Sequence, residues 1–240
     1  MSLATELEGP IASQEGDVVY EQFEDIAQQQ ETYLVGMWAF LVTEVMFFGA
    51  LFLIYSVYRW AYNWEFALLS EKLNWVAGGI NTVVLLVSSL FMALAVHYAM
   101  LRKTKLQLMM LGAVLACAFA FLVIKYIEYS EKFADGVFPG SVSILWFHTP
   151  QFSFDYPGIN ANVAYTWYSL YFSMTGLHAL HVIIGIGVIS ALAFLVWKKS
   201  SVITDYIPTE LVGLYWHFVD LVWIFLFPLF YLIPHIHVNR

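Results

Sequence analysis

A carboxylic acid in the middle of an apolar segment is the first residue in this chain that asks for chemistry. Glu44 is the single charged group in "GMWAFLVTEVMFFGALF", and a charge at the centre of a membrane-spanning helix costs about 2.5–3.5 kcal/mol on insertion scales. Two roles stay open for it: a neutral, hydrogen-bonded packing group, or a group that takes part in proton or lipid-headgroup interactions. Further along, Thr175, His178, His181 and Gly185 share one helical face, and Glu210, Gly213, His217 and Asp220 form a second stripe. Each stripe carries a glycine at which a neighbouring backbone can approach. The two are therefore expected to meet, with Glu210 and Asp220 holding His217. This makes His178, His181, Glu210, His217 and Asp220 a polar lock between helices, with no catalytic residue among them. Two histidines at i, i+3 without a carboxylate in the same helix make a poor metal site, so no metal is assigned. In "KYIEYSEKFADG", Lys125 and Glu128 have ion-pair spacing, and Glu128 and Glu131 read as an interfacial, solvated acidic cluster.

These residues need long apolar elements to carry them. Of 240 residues, 61% are hydrophobic and 12% charged, and the apolar residues fall into uninterrupted blocks. A hydrocarbon core of roughly 30 Å takes about 20 residues at a rise of 1.5 Å each. Five such runs fit, at about 34–58, 76–101, 106–127, 163–197 and 211–234. The expected fold is all-α, an integral membrane bundle of five transmembrane helices. The second span adds Asn81, Ser88, Ser89 and His97 to the polar inventory.

The formal charge of −8 is concentrated at one end. Residues 1–31 hold eight acidic side chains and no Lys or Arg, and the remaining acids and bases balance. Residues 1–32 are thus expected to form an acidic tail, retained because the stretch has no positive start or apolar middle of a signal peptide, ahead of a transmembrane domain at 33–240. There is no basic face for nucleic acid. Cys117 is the single cysteine and lies inside an apolar run, so an intrachain disulfide and a CxxC site are excluded. Arg102, Lys103, Lys105, Lys198 and Lys199 occupy short loops on the side of the N-terminus, which by the positive-inside rule places that terminus in the cytoplasm and the C-terminus outside. The long connection 129–161, with "FPGSVSILWFHTPQFSFDYPGIN", is rich in Pro, Gly and aromatics and reads as an ordered outer excursion and partner contact.

The stripes also carry a resemblance. "GMWAFLVTEVMFFGALF", "NTVVLLVSS", "EYSEKFADGVF", "TGLHALHVIIG" and "ELVGLYWHFVDLVWIFLF" occur in this order over about 34–235. The chain resembles subunit III of the haem-copper oxidases, most closely that of cytochrome c oxidase. It matches a five-helix form lacking the first two of seven helices. The resemblance implies that Glu44 is the family's buried, carbodiimide-reactive carboxyl, and that Glu128 is the glutamate closing its third shared helix. It places His178 and His181 on the family's "GxHGxHV" histidines, with Ala179 in place of a glycine. Glu210, His217 and Asp220 fall on its "E…WHFxD" stripe. It further implies an accessory subunit without redox centres in a proton-pumping oxidase of a bacterial inner membrane. Haem and copper would sit in partner subunits, phospholipid would be bound, and subunits I and II would be the partners. Further respiratory subunits could attach through loop 129–161 or the tail. Glu44 favours the cytochrome c branch, since the quinol branch tends to carry Asp there. The alternatives are subunit III of a quinol oxidase, an accessory subunit of a nitric oxide reductase, and an independent proton-linked transporter.

Overall fold

The computed structural model describes residues 23–139, 143–144, 147–148, 158–198 and 206–232. Its elements are α1 (Ile26–Ala61), α2 (Asn63–Ser70), α3 (Trp75–Met100), α4 (Thr104–Ala134), β1 (Ser143–Ile144), β2 (Phe147–His148), α5 (Ala161–Trp197) and α6 (Ile207–Phe227), which runs on into a π-turn at Pro228–Leu232. Five of these helices are long and apolar enough to cross a membrane. The chain is an all-α membrane bundle, and the β content among the described residues is one antiparallel ladder of two residues per strand, Ser143 opposite His148 and Ile144 opposite Phe147.

The observed helices outrun the apolar windows because a helix need not stop where the hydrocarbon does. α1 begins at Ile26 rather than near 34, since Asp25 caps it by accepting from Gln28 N at 2.7 Å. Residues 26–32 therefore belong to the first helix and not to a separate tail. Asn74 caps α3 through Val76 N and Ala77 N, and Asn160 caps α5 through Asn162 N. At 1.5 Å per residue the 37-residue α5 is roughly 55 Å long, so it extends beyond the membrane. α4 likewise continues to Ala134, which shortens the connection to α5 from its expected start at 129. α2 is an additional short helix in the connection between the first two spans.

Three residues turn α3 into α4, with Arg102 at φ 54° closing the reversal. These two helices pack along their lengths, α6 lies against α3 and α5, and α1 touches mainly α6 and α5. The core is aromatic: Trp167, Trp216, Trp223, Tyr171, Phe121 and Phe230 are fully buried. α1 instead turns Trp38, Val42, Met46, Leu53 and Trp60 outward, as suits a surface solvated by lipid tails. Gly185 and Gly213 do not face each other as the two stripes suggested. A Cβ on Gly185 would lie 2.7 Å from the Trp216 ring of α6, whereas Gly213 admits Val96 of α3. The stripe on α6 wraps far enough round the helix to meet two neighbours.

Candidate functional site

Glu44 sits at the midpoint of α1 and its partner comes from α5: Oε2 lies 3.2 Å from His181 Nε2. The other ring nitrogen of His181, Nδ1, lies 2.8 Å from the Leu177 carbonyl oxygen. A carbonyl only accepts, so Nδ1 carries the proton and donates it. The contact between Nε2 and Glu44 then needs a proton of its own, on the imidazole or on the carboxyl. The dyad as a unit holds that one proton and has no net charge in either arrangement. Phe48 packs edge-on against the His181 ring, and Tyr215 of α6 donates to the His181 carbonyl at 3.0 Å. The carboxyl that looks solitary in sequence is thus half of a neutral pair where α1, α5 and α6 meet.

A second centre closes the far end of α4. Lys125 Nζ lies 3.0 Å from Glu128 Oε2 and both are buried. Tyr171 of α5 donates to Glu128 Oε1 at 2.6 Å, and Tyr231 of the π-turn donates to the same oxygen. Lys125 also donates to the Tyr231 hydroxyl at 2.8 Å. A buried ion pair holds only when its remaining hydrogen-bonding capacity is met, and here two phenols and an ammonium surround one carboxylate. Glu128 is therefore not part of a solvated cluster. Glu131, three residues on from Glu128 and so about 60° round the helix, is exposed at the edge of that face.

The third centre is a seam of hydroxyls. Trp216 Nε1 donates to Ser88 Oγ at 2.9 Å, His217 Nδ1 lies 2.7 Å from Ser89 Oγ, and Trp223 Nε1 donates to Thr82 Oγ1 at 3.1 Å. Trp216 and His217 meet residues 88 and 89 whereas Trp223, further along α6, meets residue 82, an antiparallel register of the two helices. His217 is thus held by Ser89 and not by Glu210, whose side chain makes no hydrogen bond with any described residue. Glu210 lies in the first turn of α6, close to two turns before His217 and too far along the axis to reach it.

His178 and Asp220 are buried in the bundle, at 0% and 3% exposure. His178 and the amide of Asn81 on α3 have no hydrogen-bond partner among the described residues, and Asp220 has the Ser89 hydroxyl beside it but outside good hydrogen-bond geometry. Ser70 Oγ and Trp167 Nε1 likewise lack a partner among the described residues. The His178 ring lies between Phe121 and Trp223, with centroids 5.5 and 5.2 Å away. Among the described residues no three His, Cys, Asp or Glu side chains converge as a metal-ligand group.

Sequence reasoning missed Tyr171, Tyr231, Ser89, Ser88 and Thr82 as partners. Tyr171 had a signal: it lies one turn before Thr175 on the histidine face of α5, and a buried phenol normally finds an acceptor.

The C-terminal part of the chain matches a family model described as cytochrome c oxidase subunit III, over residues 144–234. That match takes in α5 and α6 and stops short of Glu44 and Glu128. The chain is 28% identical over 205 residues to a protein of Staphylococcus haemolyticus strain JCSC1435 named "Probable quinol oxidase subunit 3", covering 85% of this chain and 90% of that protein. A Staphylococcus saprophyticus protein of the same name is 28% identical over 199 residues, covering 83% and 88%. Its counterpart in Staphylococcus aureus strain USA300 is 25% identical over 205 residues, covering 85% and 90%.

Proposed function

The chain belongs to the haem-copper oxidase subunit III family, and on that premise we propose that it serves a quinol-oxidising terminal oxidase as an accessory subunit carrying no redox centre of its own. The observation that carries the donor is the relatedness over 85% of the chain to proteins named quinol oxidase subunit 3. The cytochrome c donor first expected rested on one residue, Glu44, and is the weaker reading. The description of the matching family model keeps it as the second one. In either case haem and copper belong to subunits I and II, oxygen is reduced to water there, and protons are moved by the assembly. This chain contributes the stability of the complex, lipid contacts and proton supply near its Glu44–His181 dyad, with its N-terminus on the cytoplasmic side of a bacterial inner membrane.

Phospholipid is the proposed non-protein partner. A recess of about 660 Å³ at the α3–α4 turn is lined by Lys103, Thr104, Lys105, Leu106, Leu108 and Trp197. Two ammonium groups beside apolar and aromatic walls suit an anionic headgroup with its acyl chain.

The deciding experiment is gentle purification through a tag on this chain, then a reduced-minus-oxidised spectrum and turnover with a soluble quinol or with reduced cytochrome c. Oxygen uptake with quinol, and no dinuclear-copper subunit among the co-purified chains, is the expected result. Turnover with cytochrome c and a dinuclear-copper partner would move the chain to the other branch. A lone, colourless chain that conducts protons in liposomes would return it to the transporter reading.

A further inference from the structure

We infer that the centre of this bundle binds water, held between α3, α4, α5 and α6 by the side chains of Asn81, His178 and Asp220. The three come from three different helices, His178 in contact with the Trp223 indole and Asn81 and Asp220 close to it in sequence along α3 and α6. Trp223 touches the His178 ring at 5.2 Å between centroids. Its Nε1 donates to Thr82, the residue after Asn81. Asp220 lies one turn before it on α6. Lys125 Nζ stands 4.8 Å over the same ring, and Cys117 of α4 is within electrostatic reach of Asp220.

Both amide atoms of Asn81, both ring nitrogens of His178 and both carboxyl oxygens of Asp220 are enclosed without a hydrogen-bond partner among the described residues. Each such group left unmet keeps the full cost of its desolvation, and lipid offers no donor or acceptor to relieve it. The neighbouring hydroxyls cannot serve all three. Ser89 is the one hydroxyl interacting with Asp220, but it is shared with His217 and its single proton cannot meet both carboxyl oxygens, while Thr82 accepts from Trp223 and donates to the Gly78 carbonyl. Another subunit cannot reach the groups either, because helices of this chain cover them to 0%, 0% and 3% exposure. What remains is a molecule small enough to enter a packed bundle, with both donors and acceptors, and that molecule is water. Bound there, it lies between the hydroxyl seam of α3 and α6 and the Lys125–Glu128 pair, whose ammonium stands over the Trp223 ring. This inference is independent of the electron donor.

The test is X-ray hydroxyl-radical footprinting of the intact purified complex, in which radicals formed from bound water oxidise the side chains touching it. Trp216 is the internal control, since it is as fully buried as Trp223 and its N–H is taken by Ser88. Water at the site gives oxidation of His178 and Trp223 several-fold above that of Trp216. Equal, background oxidation of all three would show a dry centre and overturn the inference. In an Asp220→Leu complex that still assembles, oxidation at Trp223 should fall towards the Trp216 level. Undiminished oxidation there would mean the water is not held by these groups, which also overturns it.

Discussion

At Glu44 the carboxyl matters less as a charge than as a share in one proton. Glu44→Gln keeps a side-chain amide able to donate to His181 Nε2 but removes the carboxyl that the resemblance implies is carbodiimide-reactive. Labelling of this chain should disappear while initial oxygen reduction stays close to that of the parent complex. Loss of all haem signal from the assembled enzyme would instead make Glu44 a folding residue. The Lys125–Glu128 pair behaves differently because it is enclosed. Lys125→Met leaves a carboxylate buried with two phenols and no cation, and should destabilise the complex by about 3–5 kcal/mol. Adding Glu128→Leu removes the stranded charge, so the double variant should recover most of that loss in thermal dissociation of this chain. A double variant as unstable as the single one would mean that the tyrosines, not the charges, hold the end of α4.

Between elements, the largest single constraint is the contact of Gly185 with Trp216. A methyl group at 185 would lie 2.7 Å from a ring atom, and the indole is held by Ser88 and cannot swing away. Gly185→Ala should therefore destabilise by about 1–3 kcal/mol, the usual scale of overpacking, and separate α5 from α6 before any other pair. His217→Ala removes the Ser89 contact alone, and interhelical hydrogen bonds in membranes contribute about 0.6 kcal/mol on average. A loss as large as that of Gly185→Ala would show that His217 has a partner beyond Ser89. The helices and the polar faces of α5 and α6 were legible in the sequence because long apolar runs and a 3.6-residue period are local properties. Lys125 and Glu128 were legible for the same reason, being three residues apart. The partnerships Glu44–His181, His217–Ser89 and Glu128–Tyr231 were not. They join residues 137, 128 and 103 positions apart, and periodicity says which face is polar without saying which helix lies opposite. Assigning Glu210 to His217 followed from keeping the search within one helix.

Across the whole molecule, polar groups are concentrated inside and at the two ends, while the lipid-facing belt is left to aromatic and aliphatic side chains. The Lys103–Lys105 recess is a basic feature of the end that carries the α3–α4 turn. A Lys103→Ala, Lys105→Ala complex should retain less anionic phospholipid through purification, measured as lipid phosphorus per haem. An unchanged lipid content would remove that recess from the binding surface.

The hydroxyl seam also has a temporal side. Thr82, Ser88 and Ser89 leave the ribosome with the second span, but the indoles and imidazole that satisfy them belong to the last. Until α6 is inserted, the Ser88 and Ser89 hydroxyls of a partly made chain lack these partners within the membrane, whereas Thr82 already donates to the Gly78 carbonyl of its own helix. Tyr55 of α1 likewise waits for the Leu229 carbonyl of the terminal π-turn, which it finally reaches at 2.8 Å. The beginning of the protein is chemically unfinished until its end arrives, so a truncated product is distinguishable from a complete one by the surface it shows to lipid and to membrane proteases.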